Sequence, residues 1–279
     1  MPNYLLIGHV TCDVLEDGSE IVGGTAAYAA LTANAIGFSV GILTSAASDF
    51  DFSRLAPVNN IVIKASPATT TFRNVYTEGV RHQLLYASAT KLTYADLPET
   101  WRAPLIAHLG PVFCECDVDF FMKLRRETYI GVTLQGWLRQ NKSGQRVEPY
   151  LPVGDMDFLR NASAVIVSED DILGDWQYAK GLAEVVPLLV VTCGSRGGYI
   201  YQHKQRVAFA APQVSEYNPT GAGDIFAAAF FCAAVRGYDA YAASLFASCI
   251  AAQSVTRMGL ASISTPSEVC QCSFNNPEV

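Results

Sequence analysis

Short runs of β-branched and aliphatic residues recur along the chain, separated by longer stretches with helical spacing. Tyr4–Ile7, Val40–Leu43, Leu105–Leu109, Tyr129–Leu134, Ala164–Val167 and Leu188–Thr192 are apolar throughout. Strands buried on both faces read this way, so the pattern predicts a mostly parallel sheet covered by helices on either side. Helices are expected at Thr25–Ile36, stopped by Gly37, at Asp117–Glu127 and at Trp176–Val185. Two stretches depart from the alternation, Asp13–Val22 and Thr69–Ala89, which read as strands with no crossover helix. The second has the form of a hairpin turning at Glu78-Gly79, either an ordinary edge hairpin or a small β-lid projecting from the α/β body. The last third is helical and Ala-rich: Asp224–Arg236, apolar on nearly every face and therefore buried, then Ala240–Arg257.

The 279 residues are half hydrophobic and 16% charged, which excludes a disordered chain and fits one large α/β domain. The net charge of −7 with no Lys/Arg block argues against a nucleic-acid or anionic-membrane partner. The longest apolar run, Ile225–Val235, is far short of the roughly 20 residues of a membrane span. No leader-like segment precedes the first strand, so a cytoplasmic location is expected. Of eight cysteines, Cys114/Cys116 and Cys270/Cys272 lack zinc spacing, and Cys232 and Cys249 fall in apolar helical runs. All eight are expected to be reduced thiols, and the four histidines, which show no metal spacing, to be structural or incidental.

Asn218-Pro219-Thr220-Gly221-Ala222-Gly223-Asp224 opens the buried helix. Small residues there permit a tight turn that exposes N–H groups at a helix N-terminus, an anion hole without lysine. Asp224 at its mouth is either a helix cap or a base for a substrate hydroxyl. Leu189–Tyr201 reads as strand, glycine turn and strand, with Thr192, Gly194 and Gly197 at the turn. Such a turn admits a nucleotide or simply closes a hairpin. Val22-Gly23-Gly24-Thr25 opens another helix and again offers N–H groups. There is no P-loop motif, no G-x-S-x-G elbow, and no G-x-G-x-x-G after the first strand.

These motifs, in this order, resemble the PfkB or ribokinase-like carbohydrate kinases over essentially the whole chain, residues 1–279 as one kinase domain with lid segments at about 13–22 and 69–89. Ile7–Leu15, Gly23–Tyr28 and Pro219–Asp224 are most similar to the plant-type myo-inositol kinases. The resemblance implies a three-layer α/β/α sandwich and transfer of the γ-phosphoryl of ATP, with Mg²⁺, to a hydroxyl of a small polyol or sugar. It implies Asp224 as base, Gly221, Ala222 and Gly223 as anion hole, and Thr192, Gly194, Gly197 and Thr220 at the nucleotide. Asp13, Gly23 and Gly24 would meet the acceptor. Asn218 stands where the family usually has Asp, so potassium binding there is in question. Ser168 and Asp171 are the counterpart of the family's N-x-x-E, which assigns Asp171 to Mg²⁺. Tyr28 replaces an Asn common in ribose-specific members. Arg139, just beyond a central strand, would reach a phosphate or a substrate anion, or stand as a surface arginine. A nucleoside or other sugar as acceptor, a nucleotide-binding regulator without turnover, and a homodimer paired through the lid strands remain as alternatives.

Overall fold

The computed structural model describes the chain apart from Glu16, residues 78–79, 142–144, Val153, Asp155 and 275–279. The first part runs β1 (Tyr4–Ile7), β2 (Thr11–Val14), β3 (Glu20–Gly23), α1 (Thr25–Ala35), β4 (Val40–Ala46), β5 (Asn60–Ala65), β6 (Thr70–Thr77) and β7 (Val80–Ala87). Next come β8 (Ile106–Leu109), α2 (Asp119–Lys123), β9 (Tyr129–Thr133), β10 (Arg139–Gln140), β11 (Glu148–Pro149), β12 (Ala164–Ser168), α3 (Trp176–Val185) and β13 (Leu188–Thr192). The chain continues through β14 (Gly198–Gln202), β15 (Gln205–Phe209), α4 (Ala222–Val235), α5 (Ala240–Ser254) and α6 (Pro266–Phe274).

The apolar strands pair as their composition demands. They form one nine-stranded sheet, β15-β14-β13-β12-β9-β8-β1-β4-β5, parallel except where β14 and β15 run antiparallel at one edge. Alternate side chains of each strand enter different cores. Tyr4 and Leu6 of β1 pack with α1, α4 and α5 on one face, while Leu5 and Ile7 pack with α2 and α3 on the other. The result is the expected three-layer α/β/α sandwich. Helix α1 from Thr25 to Ala33 and α4 from Ile225 to Ala233 are buried at every position, which is why these stretches show no polar face.

The two departing stretches make a separate four-stranded sheet, β3-β2-β6-β7, with β6 and β7 antiparallel. The turn expected at Glu78-Gly79 lies outside the described residues. The free side of β7 is met by the chain's own segment: Leu85 N–H donates to Gln145 O (2.7 Å) and Val147 N–H to Gln83 O (2.9 Å).

Two expectations are corrected. The helix expected over Asp117–Glu127 spans only Asp119–Lys123, because Leu124 turns to extended backbone (ψ 151°) and buries its side chain. The cysteines are not all reduced: Cys249 on α5 and Cys272 on α6 form a disulfide, their Cα atoms 5.7 Å apart where the two helices pack. No helix among the described residues is long and apolar enough to cross a membrane.

Candidate active site

In an open parallel sheet, ligands bind beyond the carboxyl ends of the strands, where the strand order reverses. Here that point is β1, flanked by β4 on one side and β8 on the other. A cleft of about 1140 Å³ opens there, and the four-stranded sheet forms one of its walls through Thr11, Asp13, Phe72 and Gln83.

Two helix N-termini converge on the cleft. Helix α4 is preceded by Gly221 in the left-handed region (φ 82°), and α1 by Gly24 (φ 84°). A Cβ on Gly221 would lie 2.5 Å from the ring of Tyr28, so α1 and the loop before α4 are in direct contact. The loop is tightened by Asn218, whose Oδ1 accepts the Thr220 N–H at 2.8 Å. The N–H groups of Tyr217 and Asn218 both donate to Val255 O at the end of α5. First-turn N–H groups of a helix have no intrahelical acceptor, and the 14-residue α4 adds its dipole, so this end suits an anion.

Asp224 sits in the first turn of α4 and faces the cleft. Thr25 Oγ1 donates to its Oδ1 at 2.7 Å. Burial pushes its carboxyl up to about 6, against the Thr25 hydrogen bond and the Arg139 cation, with Asp171 and Asp13 adding to the rise. Asp13 stands across from it on β2, accepting a hydrogen bond from Thr11 Oγ1 at 3.1 Å. Tyr28 lines the same cleft, and its phenol is raised to about 12 by burial and by the charges of Asp13 and Asp224. Its hydroxyl is buried with no hydrogen-bond partner among the described residues.

On the other side, Asp171 is held firmly. Its Oδ2 accepts from Ser168 N (3.1 Å) and Ser168 Oγ (2.6 Å), and its Oδ1 from Gln135 Nε2 (3.1 Å). Asp170 also faces the cleft, while Glu169 pairs with Arg196. Among the described residues no cluster of three or more His, Cys, Asp or Glu could hold a metal by itself. One or two carboxylates with room for water and phosphate oxygens are what Mg²⁺ takes in such sites, and Asp170 and Asp171 fit that need. Arg139 Nη1 donates to Val112 O at 3.0 Å, and its guanidinium lies 6.0 Å from the Phe72 ring centroid, on the wall formed by the smaller sheet.

Thr192, Gly194, Thr220, Ala222 and Gly223 line the cleft, together with Asp13, Gly24, Arg139, Asp171 and Asp224. Gly197 is not part of the lining. With φ 88°, it closes the β13–β14 turn, and a Cβ there would meet Phe209 O at 2.0 Å. Gly23 lies behind Asp13, where a Cβ would come within 2.8 Å of Asp13 Oδ2. Of the histidines, His9 bonds Thr70 and Thr90, and His108 bonds Tyr4 and Thr133, as structural groups do. His82 differs, because it reaches the cleft beside Arg146. The sequence marks Thr25 only as the opening of a helix and gives no site role to Gln135 or Glu115. The buried Glu115 accepts the N–H groups of His9, Val112 and Phe113 and so shapes the loop against which Arg139 rests.

Residues 163–268 match the pfkB family carbohydrate kinase model. The chain is 24% identical over 262 residues to the cytidine kinase of Thermococcus kodakarensis, covering 85% of this chain and 90% of that protein. Its fold is similar to that of a pyrophosphate-dependent myo-inositol-1 kinase converted into a myo-inositol-3 kinase (TM-score 0.81, 20% identity, 98% of this chain and 99% of the other). It is also similar to Arabidopsis thaliana ribokinase bound to ribose and ATP (TM-score 0.74, 16% identity, 97% and 98%). A putative ribokinase II from E. coli in complex with ATP and Mg²⁺ gives a TM-score of 0.76 at 19% identity, over 99% and 100% of the two chains. The strand order and these matches give the chain a ribokinase-like α/β fold in which residues 163–268 match a pfkB family carbohydrate kinase domain.

Proposed function

We propose that the protein transfers the γ-phosphoryl group of ATP to a hydroxyl of a small polyol or monosaccharide, with Asp224 as the base. The observation that carries this is the position of Asp224. Its carboxylate stands at the N-terminus of α4, across the cleft from Asp13 and beside N–H groups suited to phosphoryl oxygens. Asp13 orients the acceptor by accepting a hydrogen bond from one hydroxyl. Asp224 accepts the proton of the attacking hydroxyl. Gly221, Ala222 and Gly223 then meet the oxygens of the transferring group with backbone N–H, where charge builds in the transition state. With a carboxyl raised only to about 6, Asp224 is mainly ionised at neutral pH and still basic enough to take a proton. Thr192, Gly194 and Thr220 receive the rest of the nucleotide. When bound, Mg²⁺ neutralises phosphate charge, and Asp170 and Asp171 would hold it with its waters. The four-stranded sheet acts as a lid that excludes water from the acceptor.

Whole-chain fold similarity to a myo-inositol kinase and the Gly23–Tyr28 segment support a cyclitol acceptor. The cytidine kinase relative supports a nucleoside as the second reading. Product formation would be measured with myo-inositol, ribose, fructose, cytidine and adenosine, using ATP or pyrophosphate as phosphoryl donor. Asp224→Asn should fold, bind nucleotide and lose about 10²–10⁴-fold in kcat. Near-normal turnover in the folded variant would remove Asp224 as base. Donor binding without turnover on any acceptor would favour a regulatory protein. A homodimer through the smaller sheet would use β3, since β7 is met by residues 145–147, and light scattering would reveal it.

A further inference from the structure

A threonine opens α1 where alanine would favour the helix more. Thr25 is 2% exposed, so its hydroxyl needs a partner inside the protein. That partner is not a backbone group of its own helix but Oδ1 of Asp224, 199 positions away in sequence and 2.7 Å away in space. The rest of the side chain is fixed. A Cβ on Gly110 would sit 2.4 Å from Thr25 Cγ2, so the methyl fills the space above that glycine and the hydroxyl has one direction left. The branched Cβ stiffens χ1 further. Gly24, with φ 84°, fixes where α1 begins. Thr25 itself faces the cleft beside Asp224.

We infer that Thr25 is a positioning residue for phosphoryl transfer: its hydroxyl holds the Asp224 carboxylate in the rotamer that accepts the proton and stabilises its ionised form. This rests on the reading of Asp224 as base. The bond occupies Oδ1 and leaves Oδ2 for the acceptor hydroxyl. The other groups acting on Asp224 are Arg139 just after the short 3₁₀ helix Leu134–Leu138, Asp171 after β12 and Asp13 on β2, with the phenols of Tyr28 on α1 and Tyr4 on β1 nearby. Of these only Arg139 also favours the ionised form, and Thr25 is the direct hydrogen-bond donor.

The test compares Thr25→Val, which keeps shape and removes the donor, with Thr25→Ser, which keeps the donor. Asp224→Asn is measured in parallel. Thr25→Val should lower kcat about 10- to 100-fold while the acceptor KM changes less than about threefold. The acid limb of its kcat–pH profile should move up by roughly half to one unit, because the charged carboxylate has lost a donor. Thr25→Ser should stay within about fivefold of the natural enzyme, with its limb unmoved. An unmoved limb and near-natural kcat in Thr25→Val, with Asp224→Asn inactive, would overturn this inference alone. Full activity in Asp224→Asn would overturn the base and this inference together. If Thr25→Val does not fold, the contrast of Thr25→Ala with Thr25→Ser decides between the same outcomes: equal loss in both overturns the inference, and loss in Thr25→Ala alone supports it.

Discussion

Replacing Gly221 by alanine tests the convergence of the two helix N-termini. The backbone there has φ 82°, where an L side chain is strained by about 1–2 kcal/mol. The added methyl would also lie 2.5, 2.6 and 2.7 Å from Cδ1, Cγ and Cε1 of Tyr28. That ring is 1% exposed and cannot withdraw, so overpacking adds about 1–3 kcal/mol. The combined cost, about 2–5 kcal/mol, corresponds to a fall in Tm of roughly 4–10 °C for a chain of this size. The loop relieves the contact by moving, and if this terminus holds the transferring phosphoryl as proposed, a displacement of about 1 Å costs on the order of 10²-fold in rate. Thermal unfolding and steady-state kinetics would be measured for Gly221→Ala, Tyr28→Ala and the double variant. If the ring is the obstacle, the double variant should exceed additivity by about 1–3 kcal/mol in stability, since the second change removes what the first collides with. A Gly221→Ala protein with Tm within about 1 °C of natural, or a strictly additive cycle, would refute the proposed contact.

Gly23→Ala should displace Asp13, whose Oδ2 would lie 2.8 Å from the new methyl, and raise the acceptor KM by about tenfold with the ATP KM unchanged. Potassium should stimulate the natural enzyme weakly and Asn218→Asp more strongly: either side chain can accept the Thr220 N–H, but aspartate adds a full charge. Activity in sodium, potassium and Tris buffers checks this, and equal responses would discard it. Asp224 is protonated more readily in the folded chain than its ordinary value of 3.8 allows, so the stability it contributes is full below that value and lost as pH rises through about 6. Asp224→Asn should therefore raise Tm at about pH 7.5 and lose that advantage below about pH 4, as followed by calorimetry. Cys272→Ser opens a loop whose ends are 23 residues apart and should cost about 3 kcal/mol in denaturant unfolding.

The sheet was legible because parallel strands covered on both faces are apolar at every position, and Tyr4–Ile7 and Leu188–Thr192 begin and end where their composition predicts. Strand β15 escaped because four of its five residues are exposed, so Gln205–Phe209 shows no apolar signature. Helix α2 was overextended because periodicity does not reveal that Leu124 leaves the helix to fill the core. At the site, small residues around a turn gave away both helix N-termini and Asp224. Gly197 carries the same local pattern yet serves the turn beneath β15, a distinction that only the contact with Phe209 reveals. Thr25 was invisible for a related reason: its partner lies on another helix, and nothing local marks it. The Cys249–Cys272 bond likewise depends on how α5 and α6 meet.

The hydrogen bond between Thr25 and Asp224 also has a consequence for biosynthesis. At typical elongation rates, 199 residues separate the two by roughly 10–40 s of translation. Throughout that interval the nascent chain has β1 and the start of α1 but not α4, the helix that fills one face of the sheet beside α1. Tyr4, Leu6, Ala26 and Ala30 are then uncovered on that face, a surface that chaperones recognise. Chains truncated before residue 224 should show this exposure and no partial activity, so the appearance of turnover would report that α4 has docked beside α1.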